Sequence, residues 1–337
     1  MNYRRLGKTE LKVSEVGLGA LELGAAYGIG QECGEVPSEE ETQALLKGAT
    51  DVGITLFDTA GCYGLSEYRI GRFVRGMRQR PVITTKLMVQ ETNDGQYLDY
   101  ATEKAYPSVR ACVDHQVERS LRNLCVDAID LMQLHGLPDG ALFDEMTAAL
   151  QAHVKAGRIR HLGASCGGQA IPKLAERGYC TAQLCYNLLD QTERRAGLEL
   201  ARQHDFGVLI RIPLALGILA DKVERLDAER RARFEPFLDD LRARLPKGMT
   251  IPEAALRFVL SSLSVSACIP GTRRLRHLRQ NAWAGDGWGL PAPLYEYLCR
   301  LSDEGKLPQW SWNEHYKLDW PKAAHEKNLQ YCRSVDC

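Results

Sequence analysis
Short apolar runs recur along this chain, separated by longer segments in which apolar positions return every three or four residues. Gly53-Ile54-Thr55-Leu56-Phe57, Pro81-Val82-Ile83-Thr84-Thr85, Ile129-Asp130-Leu131-Met132-Gln133-Leu134 and Gly207-Val208-Leu209-Ile210-Arg211-Ile212 have the length and composition of buried strands. Strands are also predicted over 14–19, 160–165, 181–187 and 266–269. Val109, Val113, Val117 and Leu121 stand four apart, the spacing of one helix face, within a helix over 108–123. Ser38 followed by Glu39, Glu40 and Glu41 reads as a capped helix start with acids set against the helix dipole, and that helix runs through Asp51. Helices are further predicted over 66–75, 141–156, 169–176, 191–203, 228–245 and 274–284, with another starting at Thr250. Residues 90–106 read as a polar loop with its clearest turn at Asn93-Asp94-Gly95, and 24–37 as a glycine-rich loop.

Strand and helix alternate about eight times, with no composition shift to mark a boundary. The pattern predicts an α/β fold of the (β/α)8 TIM-barrel kind, one domain over residues 1–337. An N-terminal β-hairpin over 3–13 turns at Gly7-Lys8. A C-terminal appendage from about residue 291 carries Trp310, Trp312 and Trp320.

Composition narrows the possible functions. With 337 residues, 45% of them hydrophobic, the chain can bury a sizeable core. Lys plus Arg equals Asp plus Glu, 43 each, so there is no bulk electrostatic case for nucleic acid or an anionic membrane. No run approaches the ~20 apolar residues of a membrane span, and the start lacks a signal peptide's apolar core, so a cytoplasmic protein is expected. The 11 cysteines include no Cys-x-x-Cys pair; they are expected to be reduced and mostly buried, with Cys332 and Cys337 the most exposed and reactive. A metal-dependent hydrolase barrel would cluster ligands such as His-x-His at a strand end, and the 8 histidines do not cluster so.

A barrel of this kind carries its chemistry at the C-terminal ends of its strands. Asp58, Lys86, His135, Ser165, Gln183, Asn187 and Arg211 all fall there. Any one of them is as readily a helix cap or a satisfied core residue; several on one rim are a stronger signal. In Asp58-Thr59-Ala60-Gly61-Cys62-Tyr63-Gly64 a tyrosine follows an acid across a tight turn. A phenol, a lysine that lowers its pKa and a histidine that orients a carbonyl together make a proton-delivery device.

Phe57-Asp58-Thr59-Ala60 with Tyr63-Gly64, Lys86, Leu134-His135, Gly163-Ala164-Ser165, Gln183 followed by Tyr186-Asn187, Pro213-Leu214 with Gly217, and Ile269-Pro270-Gly271 with Asn281 carry a family likeness. From about Arg4 to Asn281 the sequence resembles the aldo-keto reductase family, and its loops before Ser38 and after Lys86 look similar to those of sugar- or aldose-dehydrogenase-like bacterial members. The resemblance implies hydride transfer between a nicotinamide and a carbonyl. Tyr63 would be the general acid, Lys86 would acidify it, Asp58 would hold Lys86, and His135 would polarise the carbonyl.

The resemblance also assigns cofactor residues. Ser165 and Gln183 match positions that hold the nicotinamide carboxamide. Cys166 stands where an asparagine is usual. Asn187 matches a residue near the cofactor and reads equally as a loop-capping amide. Arg211 replaces a ring-stacking tyrosine and would stack on the nicotinamide or reach the pyrophosphate. Pro213, Leu214 and Gly217 fall in the loop that crosses the pyrophosphate. Gly271, Thr272, Arg273, Gln280 and Asn281 match the adenosine end, where Arg273 would meet a 2′-phosphate. Arg274, Arg276 and Arg279 add positive charge or form a solvated helix face. No acid is seen nearby to favour a ribose hydroxyl, so NADP(H) is expected over NAD(H). The substrate is a small carbonyl compound or sugar. Trp310, Trp312 and Tyr316 would close the pocket over it or staple the tail to the barrel. The competing reading is an NADP(H)-binding, redox-sensing or regulatory subunit with little turnover; the complete set of Asp58, Tyr63, Lys86 and His135 argues against it.

Overall fold
The computed structural model describes residues 1–27, 36–220, 223–312, 314 and 322–336, the last stretch with side chains from Glu326 onward. Its centre is an 8-stranded parallel sheet. In chain order the strands are β1 Tyr3–Arg5, β2 Lys12–Ser14, β3 Leu18–Gly19, β4 Leu56–Asp58, β5 Val82–Leu87, β6 Val89–Glu91, β7 Tyr97–Asp99, β8 Lys104–Tyr106, β9 Ile129–Leu134, β10 Ile159–Ser165, β11 Thr181–Cys185, β12 Gly207–Arg211 and β13 Ala267–Cys268. The large sheet runs β13-β12-β11-β10-β9-β5-β4-β3. Parallel bridges from Val16 to Cys268 and from Gly19 to Gly271 close it into a barrel. This is the (β/α)8 architecture that the alternation predicts.

Side-chain alternation along each strand sorts the barrel interior into two layers. At the bottom, Leu56, Leu131, Leu209 and Ala267 point inward and meet Leu6 and Val13 of the N-terminal hairpin, which plugs that end. One turn of the pleat higher, the same strands present Asp58, Gln133 and Arg211, beside Lys86 of β5 and Gln183 of β11. Residues of opposite parity, among them Phe57, Ile83, Met132, Ala182 and Ile210, pack outward against the helices. An inward polar layer at the C-terminal end is thus a consequence of register.

Most predicted elements are present. Ser38 accepts from the Glu41 amide and Glu41 reaches back to the Ser38 amide, a complete capping box on the helix Glu39–Asp51. Ser108 caps Val109–Leu124. Two predicted helices are broken: 169–176 becomes a 3₁₀ turn, Gly168–Ala170, followed by Ile171–Glu176, and 191–203 divides into Thr192–Arg195 and Gly197–Gln203 at Ala196. The hairpin connection is wider than a turn at Gly7-Lys8, with a 3₁₀ turn Gly7–Thr9 inside it. Residues 90–106 are not a loop: β6, β7 and β8 form a 3-stranded antiparallel sheet, with the predicted turn joining the first two. The predicted loop over 24–37 lies largely outside the described residues, and Leu21–Gly24 at its start is a short helix.

Every described cysteine is a free thiol. Cys332 is 3% exposed, which corrects its expected exposure: its helix lies against the barrel mouth. Cys125, not Cys332, is the exposed thiol of the described set. Cys337, Tyr316 and Trp320 lie outside the described residues.

Candidate active site
The loop after β4 is built to hold its side chains in place. The Thr59 amide donates to Thr84 O at 2.8 Å and the Gly61 amide to Lys86 O at 3.1 Å, so the loop leaves the barrel along β5. Gly64, at φ 55°, lies so close to Gly24 that a Cβ there would sit 2.1 Å from Gly24 O. That contact excludes any larger residue and presses the tyrosine loop onto the exit of β3.

Asp58 is the hub of the polar layer. Its Oδ2 accepts from Lys86 Nζ at 2.6 Å, and its Oδ1 accepts from Thr84 Oγ1 at 2.9 Å, Gln183 Nε2 at 2.8 Å and Gln133 Nε2 at 3.3 Å. Lys86 Nζ also donates to Thr59 O at 2.8 Å. Both charges are buried, and each has the partners that a buried charge requires. Thr84 and Gln133 were not singled out from the sequence; inward parity on β5 and β9 was the signal available.

Above this pair lie Tyr63 and His135. Lys86 Nζ stands 5.1 Å from the Tyr63 ring centroid. The Tyr63 hydroxyl lies 3.4 Å from His135 Nε2, with the two rings edge to face. His135 is neutral: burial first, then the positive charges of Lys86 and Arg211, push its pKa down to about 3. The phenol departs from expectation. Burial, and next the Asp58 carboxylate, hold it well above its ordinary pKa, with Arg211 pulling the other way. Burial thus outweighs the acidification expected of Lys86.

These groups floor a cavity of about 990 Å³. Tyr63, His135, Ser165, Gln183 and Arg211 line it, as do Pro213, Leu214 and Gly217, and Gly271, Thr272, Arg273, Gln280 and Asn281. Lys86 and Cys166 do not line it; Cys166 Sγ donates to Ala164 O at 3.7 Å. Asn187 is fully buried and accepts from the Leu189 and Asp190 amides, which is its loop-capping role. Arg211 stacks on Trp312 at 5.5 Å, and its buried Nε has no hydrogen-bond partner among the described residues. Trp312 lines the cavity, whereas Trp310 is buried in the core, so one tryptophan faces the site and the other staples the tail.

An elongated anionic cofactor fits this cavity. Its lining includes Arg225, Arg242, Arg273, Arg274 and Arg276, while Arg279 lies outside it. The expected absence of acids is corrected: a Cβ on Gly271 would sit 2.1 Å from the Glu22 carboxylate, and Glu253 lines the cavity too. Among the described residues no cluster of His, Cys, Asp and Glu could hold a metal ion, and no helix is long and apolar enough to cross a membrane.

Residues 15–290 match the model of the aldo/keto reductase family. The oxidoreductase YrpG of Bacillus subtilis (strain 168) is 30% identical over 308 residues, covering 83% of this chain and 89% of its own. The Schizosaccharomyces pombe aldo-keto reductase yakc, whose name carries NADP(+), is 26% identical, covering 80% of this chain and 83% of its own. The holo-form structure of the aldo-keto reductase AKR11C1 from Bacillus halodurans superposes with a TM-score of 0.72 at 26% identity, covering 89% of this chain and 96% of its own. The chain belongs to the aldo/keto reductase family and is a carbonyl-reducing oxidoreductase that takes a nicotinamide cofactor and a small-molecule substrate.

Proposed function
We propose that this protein is an NADP(H)-dependent reductase of aldehydes, ketones or sugar carbonyls, working from one barrel domain with Tyr63 as the proton donor and the reverse oxidation open to the same residues. The observation that carries this reading is the Tyr63 hydroxyl at 3.4 Å from His135 Nε2, over the buried Lys86–Asp58 pair and at the floor of a long cavity. The bound nicotinamide would supply the hydride. Tyr63 stays protonated through the neutral range, the state a donor needs, and gives up its proton only as negative charge builds on the substrate oxygen. Neutral His135 donates to that same oxygen and stabilises the developing charge. Asp58 and Lys86 hold the tyrosine loop from below. Ser165 and Gln183 would meet the nicotinamide carboxamide. Gln183 now donates to Asp58, which leaves its side-chain carbonyl for the cofactor. Arg211, stacked on Trp312 in the cavity lining, would meet the nicotinamide or the pyrophosphate.

The preference for NADP(H) over NAD(H) rests on five arginines in the lining of the cavity against Glu22 and Glu253. Guanidinium groups bind phosphate bidentately. The test is kinetic. With a generic aldehyde, kcat/KM should favour NADPH, and Arg273→Ala should narrow the difference by about tenfold, the value of ~1.4 kcal/mol. Equal efficiency with both cofactors, unmoved by the substitution, overturns the preference. Tyr63→Phe should keep NADPH affinity and lower kcat by about 100-fold or more, the range of general acid catalysis; an active Tyr63→Phe protein overturns the assignment.

A further inference from the structure
We propose that the Cys62 thiol is a positioning residue for this reaction: it donates to His135 Nδ1, which fixes the imidazole as the tautomer that carries its proton on Nε2. The inference rests on the carbonyl-reduction reading above.

A neutral imidazole has one N–H, and its two nitrogens must divide donor and acceptor roles between them. Here each nitrogen has one close partner. Cys62 Sγ lies 3.4 Å from Nδ1, and the Tyr63 hydroxyl lies 3.4 Å from Nε2. The partners are consecutive residues of one turn, pinned by the Gly61 amide on Lys86 O and the Tyr63 amide on Ala60 O, so neither can drift without the other. Burial, with a further push from Cys332, raises the thiol's pKa to about 12, so it keeps its proton. Burial and two neighbouring cations keep the imidazole from taking a second one.

Two arrangements remain, and they differ in what they do to the acid. If Nδ1 carries the proton, it points at sulfur, a weak acceptor, and Nε2 becomes an acceptor facing the Tyr63 hydroxyl. The phenol then spends its proton on histidine, and no N–H is left for the substrate oxygen. If S–H donates to Nδ1, the proton sits on Nε2. Without substrate the phenol oxygen accepts from Nε2–H and its own O–H stays available; a carbonyl oxygen bound there would take the O–H and also the Nε2–H, which turns to it from the phenol. The second arrangement gives sulfur a donor's part and gives the reaction its two donors. Groups that orient a histidine from its far nitrogen commonly set which nitrogen is protonated.

The test reads the tautomer directly. In ¹⁵N-histidine-labelled protein, long-range ¹H–¹⁵N correlation spectra should show His135 Nε2 as the protonated nitrogen and Nδ1 as the bare one. In Cys62→Ala the Nδ1–H form should grow, while Cys62→Ser, which keeps a donor, should retain the Nε2–H form. Fluorescence titration with NADPH checks that each variant is folded and binds cofactor. On 4-methoxybenzaldehyde, kcat of Cys62→Ala should fall about 10–100-fold, with recovery in Cys62→Ser. The loss should be smaller on electron-poor 4-nitrobenzaldehyde, which needs less help at its oxygen. An Nδ1–H tautomer in the parent protein overturns the proposal, as does an unchanged tautomer in Cys62→Ala, whether or not activity falls. The spectra need no substrate, so failure of the parent protein to reduce either aldehyde counts against the carbonyl reading and leaves the tautomer result to stand alone.

Discussion

The chemistry of the site is set by a contrast between two side chains that face one cavity. His135 and Tyr63 are both half-buried in the cavity lining, and both are kept from charging: the imidazole from gaining a proton, the phenol from losing one. The imidazole shift has a thermodynamic consequence. In the unfolded chain His135 binds its proton below its ordinary pKa of 6.5, whereas in the fold it waits until about 3. Between those values the unfolded state holds more protons, so stability rises with pH and is lost as pH falls through that window. One such group contributes at most about 1.4 kcal/mol per pH unit. His115, His153 and His161 shift the same way, so the histidines add. Urea unfolding of the parent protein and of His135→Gln at pH 6.5 and pH 5 separates them. The parent should lose more stability over that interval, by about 1–2 kcal/mol. Parallel losses would mean that His135 titrates normally. The gathering of Asp58, Lys86, Tyr63 and His135 at one end of the barrel was legible in the sequence through their order and strand-end placement. The direction of the phenol shift was not, because it depends first on how the fold shuts the hydroxyl away from water and then on the nearby Asp58 carboxylate, which are three-dimensional facts.

At the scale of elements, what was legible depended on apolar pattern. Buried strands and amphipathic helices announce themselves, and the capping box at Ser38 marks its helix start. The sheet of β6, β7 and β8 did not: its strands are 3 residues each, too short for an alternation to stand out from a loop. It is held instead by tertiary contacts. Asp99 pairs with buried Arg119 at 2.6 Å and caps the Ala101 amide. The loop from β12 was equally opaque. Ile212, Ala215 and Leu216 take φ of 57°, 46° and 60°, a conformation that L-residues avoid, around Pro213 and Leu214, which line the cavity. The tail shows the same dependence on context. Helix Lys322–Ser334 lies over the barrel mouth, with Asn328 accepting from the Ala26 amide at 2.9 Å, Cys332 Sγ donating to Gly61 O at 3.5 Å and Arg333 donating to Thr102 O at 2.9 Å. It reaches the exit of β3, the tyrosine loop and the small sheet together, and it presents Leu329 to the cavity. That wall shapes the space open to substrate. Leu329→Ala should raise kcat/KM for bulky aldehydes relative to small ones by about tenfold or more, since a change in one pocket side chain is worth ~1–3 kcal/mol, with NADPH affinity unchanged. An unchanged ratio would place the substrate away from this helix.

For the whole molecule, the telling feature is a buried charge pair where the barrel could have carried leucine. Below it the interior is apolar, from Leu6 and Val13 to Leu209; above it the cavity begins. Asp58 takes hydrogen bonds from β5, β9 and β11 while sitting on β4, so one carboxylate ties together strands on opposite sides of the barrel. Taking one partner away leaves the other charge buried with nothing to answer it, and such a change costs about 3–5 kcal/mol. Replacing both partners with apolar residues of similar size removes that penalty, and in other proteins is often neutral or stabilising. The two contributions, to stability and to chemistry, therefore come apart under substitution. Asp58→Leu should destabilise the fold by several kcal/mol, because Lys86 keeps only the Thr59 carbonyl as a partner. The double variant Asp58→Leu/Lys86→Met should recover most of that loss while remaining inactive, because Tyr63 no longer stands over a charged floor. Urea unfolding alongside NADPH-dependent turnover measures both. If the double variant is as unstable as Asp58→Leu, the pair is a net support of the barrel; if it is active, the pair plays no part in the reaction. Recovered stability with lost activity is the expected result, and it would identify the pair as retained for catalysis at a cost that folding alone gives no reason to bear.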